Sequence, residues 1–473
     1  MKRRSFIKSL SLSIACPLIA QDGPSRQERI ETLTAPQNPN IALNHLGFLP
    51  KSKKPVLFRL PDIAPPAEFL LSDMAEPEPN TPPFKLAGPL KAVDCDFGPC
   101  LAGDFSGLER PGMYQITIGD LLSVPFFIRH DLWKRTLPEA FKYYYQQRCG
   151  VAVPNVHPVC HLDDGRRRDN GAHIDVTGGW HDAGDLRKWM STALHSGMAI
   201  MRMGRNLGDT WNQNGSGLKP ILEEIRWGNR YWLKMQDSNG QIWADCAGGI
   251  NGDNSDNHWT GNIIGTKDDR YINTKIIGSI QAEFVLVQAM IAQLFKDVDP
   301  GYAQKCLAAG LRCRAATTPG TKSTHDITWW LLAALELYRA TNLKQWADEA
   351  AGLGQNLAAL QVQEFAGNQK LIRGFWKESP TNKAPLTNAV YSALPAIALL
   401  ELAGHLPAHP SAASWRTAVQ LHLEEYVVPL CARNAFRIIP YGVYYGSPTK
   451  DTYRPLAGEL TYRYFLPVRK EFW

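Results

Sequence analysis

Past Asp131 the chain carries nine long runs with helical periodicity and no alternating strands between them. That limits the second part of the molecule to an all-α architecture. The runs fall at about 134–149, 186–204, 219–236, 278–297, 299–316, 324–340, 343–363, 385–403 and 412–433. Several, such as Ile280–Phe295 and Ile327–Leu337, are apolar on most sides, which predicts burial between other helices. Irregular segments at 150–185, 237–277, 364–384 and 434–467 interrupt them, and loops of that length in a helical domain usually carry function. The pattern predicts a helical barrel or toroid with one decorated face.

Upstream the texture is different. From Ile41 to His130 short apolar runs are broken by turn residues, and Tyr114, Ile116 and Ile118 alternate with Gln115 and Thr117 in a period of two. Pro-rich pieces such as Glu76–Pro79 belong in loops. This predicts a small β-sandwich over residues 40–130, preceded by a polar linker over 21–39, with the helical domain at 131–473. A chain of 473 residues with 44% hydrophobic and 20% charged residues has room for several folded units.

Residues 1–20 join a basic head (Lys2, Arg3, Arg4, Lys8) to an apolar stretch too short for a bilayer, the pattern of an export signal. Arg3-Arg4 followed by Ser5-Phe6-Ile7-Lys8 is twin-arginine-like, so an exported, periplasmic or extracellular protein is expected. Cys16 as a lipid anchor is the weaker alternative, because Ser13-Ile14-Ala15 is a poor lipobox. No membrane span is expected elsewhere. The formal charge is +6, most of it from that basic head, so nucleic acid is not an expected partner. The sequence is silent on oligomeric state. Nine cysteines are too scattered for a disulfide scaffold, although Cys95 and Cys100 are spaced to bridge a loop.

The chemistry concentrates at Thr177-Gly178-Gly179-Trp180-His181-Asp182-Ala183-Gly184-Asp185. Glycines permit positive φ and leave room for a ligand, so Asp182 and Asp185 can face one open space and hold a nucleophilic water. Asp185 also fits an ordinary N-cap for the helical run that follows. In the long loops Trp243, Trp259, Tyr271, Trp376, Tyr441, Tyr444 and Tyr445 offer flat faces for pyranose rings, although for any single one packing beneath a loop is the stronger reading. Asp253, Asn254, Asp256, Asn257, Asp268, Asp269 and Arg270 offer partners for sugar hydroxyls. Asn251–Asn257 has the oxygen content for calcium but not a full calcium-loop pattern. Cys149, Cys160, His161 and His181 make up a tetrahedral zinc set in composition, while their spacing, which is no standard short finger pattern, better suits a buried helix cysteine beside loop histidines.

Gly178–Asp185 closely resembles the catalytic turn of glycoside hydrolase family 9, the cellulase-type inverting enzymes. Asn44–Pro50, Gly112–Ile116 and Pro125–Ile128 resemble the immunoglobulin-like module that precedes many such domains, and Gln147–Gly150 and His157–Asp164 resemble the entry to the barrel. The resemblance implies a multidomain chain: an Ig-like β-sandwich followed by an all-α six-hairpin α/α barrel, incomplete at the C-terminus. It implies that Asp185 is the general base on the attacking water and that Asp182 helps to hold the water. It also implies a structural zinc on Cys149, Cys160, His161 and His181, and the expected substrate contacts are Trp180, Trp259, Tyr271, Trp376 and Tyr444. Six hairpins need twelve helices and nine runs are found; no residue matches the family's general acid, and neither Glu459 nor Glu471 sits in its context. The expected function is hydrolysis of a β-linked polysaccharide or oligosaccharide. The alternative is a catalytically impaired glycan-binding protein on a hydrolase scaffold.

Overall fold

The structure is a computed structural model that describes residues 40–59, 65–75, 82–95, 98–207, 220–248, 259–364, 372–382, 386, 393–433, 438–439, 442–445 and 460–463. It divides into two compact units, Met1–Thr136 and Leu137–Trp473.

The first unit contains two antiparallel sheets. One is ordered β1 (Ile41–Ala42), β2 (Pro55–Arg59), β6 (Gly98–Asp104), β5 (Lys91–Cys95). The other is β4 (Lys85–Pro89), β3 (Glu68–Asp73), β7 (Gly112–Ile118), β8 (Leu121–Leu122), with β9 (Phe126–Ile128) also paired to β7. The alternation in β7 does what its sequence predicts: Tyr114, Ile116 and Ile118 are buried and their neighbours are half-exposed. They join Val56, Phe58, Leu101, Phe69 and Phe126 in one core to which both sheets contribute. Gly88 and Gly103 let the strands close on the Phe69 ring, since a Cβ at either position would fall 2.4 Å or 2.7 Å from it. The side chain of Cys95, and with it the expected bridge to Cys100, lies outside the described residues.

The helix α1 (Leu132–Gln146) spans the boundary between the units. The second unit continues with α2 (Met190–Leu207), α3 (Pro220–Lys234), α4 (Gly278–Phe295), α5 (Pro300–Ala315), α6 (Thr324–Thr341), α7 (Lys344–Ala359), α8 (Leu394–His405) and α9 (Ala412–His422). A π-helical turn, Leu423–Val427, carries α9 into α10 (Val428–Arg433). The helices pack as consecutive pairs, α4 with α5, α6 with α7, and α8 with α9. The first members also touch in series, from α2 to α4 to α6 to α8. These serial contacts explain why α4 and α6 are apolar on most sides: each is enclosed by its hairpin partner and by two further helices. By length and composition α4 could cross a membrane, yet 78% of it is buried within the protein, as befits a core helix. Local signals set the ends. The carboxylate of Asp299 caps α5 by accepting from Tyr302 N at 3.1 Å, Ser323 Oγ caps α6 by accepting from Asp326 N at 3.0 Å, and Asn342 closes α6 with φ 56°.

Two expectations need correction. The helix expected from residue 186 begins at Met190, and the one expected from 385 begins at Leu394. The helical unit also contains strands: β10 (Arg166–Arg167), β11 (Lys188–Trp189), β12 (Trp243–Ala247) and β13 (Tyr271–Ile276) form a sheet ordered β10-β13-β12-β11. Two of these strands are only two residues long, and β12 is buried throughout, so period-two alternation does not reveal them. A further pair, β14 (Gly442–Tyr445) and β15 (Leu460–Arg463), is antiparallel.

Candidate active site and metal centre

The acidic bend sits between two anchored ends. Gly178 and Gly179 have φ 95° and 77°, and a Cβ at Gly179 would stand 2.8 Å from Tyr231, so both conformation and space demand glycine there. At the other end Leu186 has φ 59°. This left-handed residue and the two-residue strand after it delay the helix to Met190, so Asp185 is not an N-cap. Within the bend Asp182 N donates to the Arg187 carbonyl at 2.7 Å, and Asp185 Oδ1 accepts from Arg187 N at 3.3 Å. Tyr143 Oη donates to the Asp182 carbonyl at 2.9 Å.

A buried ionic group fastens this bend from beneath. Lys188, in β11, donates from Nζ to the carbonyls of Val176 at 2.8 Å and Gly178 at 3.1 Å, and pairs with Asp164 at 2.7 Å. Arg270 makes two hydrogen bonds to Asp164, at 2.8 and 2.6 Å, and a third to the Leu186 carbonyl. All three side chains are fully buried. Burial opposes ionisation of Asp164, but the charges of Arg270 and Lys188 outweigh it and hold the carboxyl below its ordinary range. Sequence reasoning offered Arg270 as a partner for sugar hydroxyls; it is instead an interior cation. Lys188 and Asp164 were not singled out, because nothing in a linear sequence tells a buried ion pair from a solvated one.

Asp182 borders a small pocket of ≈ 120 Å³ whose other walls include Tyr143, Tyr144, Gln147, Trp189 and Thr192. Burial, then the neighbouring charge of Asp185, raises the Asp182 carboxyl above its ordinary value, against a hydrogen bond from Thr192 and the charge of Arg187. The charge of Asp185 is thus felt at the Asp182 carboxyl.

The four expected metal ligands come together. Cys149, Cys160, His161 and His181 are all buried, and one ligating atom from each lies within 4.8 Å of the others. Cys149 Sγ is 3.6 Å from His161 Nδ1, Cys160 Sγ is 3.8 Å from His181 Nε2, and the two histidine nitrogens are 3.3 Å apart. Zn–S and Zn–N bonds of ~2.3 and ~2.05 Å at tetrahedral angles give S···N edges of ~3.6 Å and N···N edges of ~3.35 Å, so the donor set fits. Burial alone would raise the Cys149 thiol. Hydrogen bonds from Cys160, the charge of Lys188, and hydrogen bonds from His161 and His181 instead hold it well below the ordinary value, toward the thiolate that a metal needs. This buried Cys/His cluster can bind a metal.

The expected sugar-stacking residues separate on inspection. Trp259 is half-exposed, but its ring stacks on His161 at 5.7 Å and so covers the Cys/His cluster. Tyr271 is half-buried on β13 with the Arg166 guanidinium over its ring. Trp180 is 5% exposed, donates to Glu224 at 2.7 Å and meets Trp232 edge to face; it contributes a wall of the pocket rather than an open face. Trp376 is a correction: it is 1% exposed, its indole N–H donates to the Leu357 carbonyl at 3.0 Å, and it belongs to the core. The Tyr444 side chain, the Asn251–Asn257 segment, Glu459 and Glu471 lie outside the described residues.

Comparison with known protein families matches residues 133–453 to Glycosyl hydrolase family 9. The chain belongs to this family. Among curated relatives, a cellodextrinase from Butyrivibrio fibrisolvens is 26% identical over 319 residues, which is 58% of this chain and 55% of that protein. Endoglucanase D from Acetivibrio thermocellus is 26% identical over 233 residues, 44% of this chain and 35% of that protein. The chain thus spans about half, or less, of the length of these relatives. Solved family 9 structures share the fold. The Bacteroides ovatus GH9 structure matches with a TM-score of 0.61 at 19% identity, covering 84% of this chain and 75% of that one. Endoglucanase J30 matches with 0.61 at 23%, covering 82% and 73%. A triple mutant of J30 described as Zn-binding matches equally well.

Proposed function

We propose that this chain is an exported, inverting hydrolase of β-1,4-linked glucans or related oligosaccharides. The observation that carries the reading is the pairing of Asp182 and Asp185 on one fixed bend at the edge of a pocket. Asp185 acts as general base: it takes a proton from water as the oxygen attacks the anomeric carbon. Asp182 accepts a hydrogen bond from the same water and orients it. Inversion follows because the water attacks the face opposite the departing sugar, and the base stands ~6.5–9.5 Å from the acid that protonates the leaving oxygen.

In this reading the first unit is an immunoglobulin-like sandwich, and the paired helices of the second belong to a six-hairpin α/α barrel. The names of the relatives support a glucan substrate. The Cys/His cluster is a structural zinc site, and bound zinc supplies a crosslink between the 149–161 segment and the bend at His181. Lys188, Arg270 and Asp164 hold the two ends of the bend, and the half-buried Tyr271 is the candidate sugar contact. The basic, apolar N-terminus supports export.

The test is incubation with cello-oligosaccharides, with the first-formed reducing sugar read by proton NMR. The expected result is release of the α anomer, which then mutarotates. The β anomer appearing first would refute inversion. Saturable binding without turnover would place the chain among glycan-binding proteins.

A further inference from the structure

A groove of ≈ 400 Å³ runs between α3 and α5, helices that contribute neither to the acidic bend nor to the Cys/His cluster. That volume is within the ~300–1,000 Å³ of ordinary ligand pockets. Four of its lining residues are cationic, Arg230 and Lys234 from α3 and Lys305 and Arg312 from α5, and none is acidic. Lys234 is neutralised by Asp175 at 2.9 Å, and Arg226, one turn before Arg230, by Asp299 at 2.9 Å. Arg230, Lys305 and Arg312 are exposed, and among the described residues no carboxylate pairs with them. The groove therefore has three uncompensated positive charges.

Two of those charges are held in place by neutral partners. Arg312 donates to Gln236 Oε1 at 2.5 Å, and the same amide is fixed by donating to the Gly240 and Ala309 carbonyls, both at 2.9 Å. Arg230 lies over the Trp227 ring at 5.1 Å, and that indole is anchored by its hydrogen bond to the Gly179 carbonyl at 3.0 Å. An amide oxygen and an aromatic face position a guanidinium without cancelling its charge, so less order has to be imposed when an anion binds. The two helices run side by side in the same direction, since Asn229 bonds Tyr302 and Gln236 bonds Ala309. Arg230 and Lys305 accordingly face each other near one end of the groove, and Arg312 stands near the other. Lys305 and Arg312 are seven residues apart on one helix, a separation of ~10.5 Å along its axis.

We propose that this groove binds an acidic polysaccharide with a carboxylate on every second sugar. One carboxylate sits between Arg230 and Lys305 and the next pairs with Arg312; the distance between them is close to the length of one disaccharide. Guanidinium groups suit carboxylates because they donate two parallel hydrogen bonds. Single-stranded nucleic acid fits less well, because it binds through open aromatic faces. Here Trp227 already has the guanidinium groups of Arg148 and Arg230 over its ring, and Tyr302 that of Arg226. A membrane surface fits less well again: the apolar lining is half-buried Leu233 and buried Ala309, and neither projects to enter a bilayer. The proposal concerns attachment to an acidic matrix and does not depend on whether the chain hydrolyses glycans.

The test is fluorescence anisotropy of a labelled hyaluronan hexasaccharide, in which every second sugar is a glucuronate, titrated with the full chain at low ionic strength. Saturable binding that weakens as salt is added is expected, with no competition from neutral cellohexaose. The double variant Arg230→Gln/Arg312→Gln should bind at least about tenfold more weakly, since each lost charged hydrogen bond is worth that much or more. Both positions are exposed, so an unchanged Tm should accompany the loss. The control Lys296→Gln/Lys344→Gln removes the same net charge from two exposed positions outside the groove and should bind like the wild type. No binding by the wild type, equal binding by the groove variant, or an equal loss in the control would overturn the proposal. Tighter binding of an oligothymidylate or of anionic phospholipid vesicles, abolished by the groove variant, would assign the groove to that partner instead and overturn it as well.

Discussion

Arg270 donates a hydrogen bond to the main-chain carbonyl of Leu186, the left-handed residue immediately after Asp185, while its other nitrogens hold Asp164. An interior cation thus fixes the exit of the acidic bend, and Lys188 fixes its entrance through the Gly178 carbonyl. Arg270→Met leaves Asp164 with a single cation and the Leu186 carbonyl without its donor. Breaking a buried ion pair from one side typically costs ~3–5 kcal/mol, so a loss of that order is expected in chemical denaturation. A change below ~1 kcal/mol would show that the group is not the anchor described, since that is the range of exposed pairs.

The Cys/His cluster should contain one zinc per chain by elemental analysis of protein purified without chelator. Cys160→Ser should lose the metal and lower the thermal midpoint, because binding energy at a structural site is also folding energy. Metal-free protein of undiminished stability would remove the zinc assignment.

Trp376 separates packing from recognition. Truncation of a buried tryptophan costs ~3–5 kcal/mol, so Trp376→Ala should be strongly destabilising in urea denaturation. A fully stable variant with selectively weakened oligosaccharide affinity would restore the stacking role that its burial argues against.

Glu283 lies in α4 with 1% exposure, and its Oε2 has no hydrogen-bond partner. Burial alone raises its carboxyl well above the ordinary value. The folded state therefore binds this proton more tightly than the unfolded chain does. Below the unfolded pKa both states are protonated and nothing is lost; as pH rises from there toward the folded pKa, stability falls by ~1.4 kcal/mol per pH unit for a single group. Glu283→Gln should therefore be more stable than wild type at neutral pH, with the difference closing in acid. Urea denaturation at neutral and acidic pH checks this, and a less stable variant at neutral pH would contradict it.

What the sequence disclosed follows from what it can encode locally. Helical runs such as α4 and α6 were legible because they are long and continuously apolar, while the four Cys/His positions were grouped through the family resemblance, since their spacing alone favoured unrelated roles. The sheet that carries Lys188 and Arg166 was not legible. Strands of two residues have no period to detect, and their pairing partners lie far away in sequence, as Lys188 pairs with Cys246. Aromatic residues were the least informative: Trp259 and Trp376 look alike in a loop sequence, yet one stacks over the Cys/His cluster and the other is sealed in the core. Arg270 was misread for the same reason, since a charged side chain beside Asp268 and Asp269 reads as surface unless a buried partner such as Asp164 is known.

The central claim is that Asp185 draws the proton from the attacking water. Rates of cello-oligosaccharide or aryl cellobioside hydrolysis by wild type and Asp185→Asn, with folding verified by circular dichroism, test it most directly. Loss of a positioned general base is worth ~10²–10⁴-fold, so kcat should fall by at least about a hundredfold in a variant that still folds and still binds sugar. An Asp185→Asn protein that hydrolyses at the wild-type rate would contradict the account.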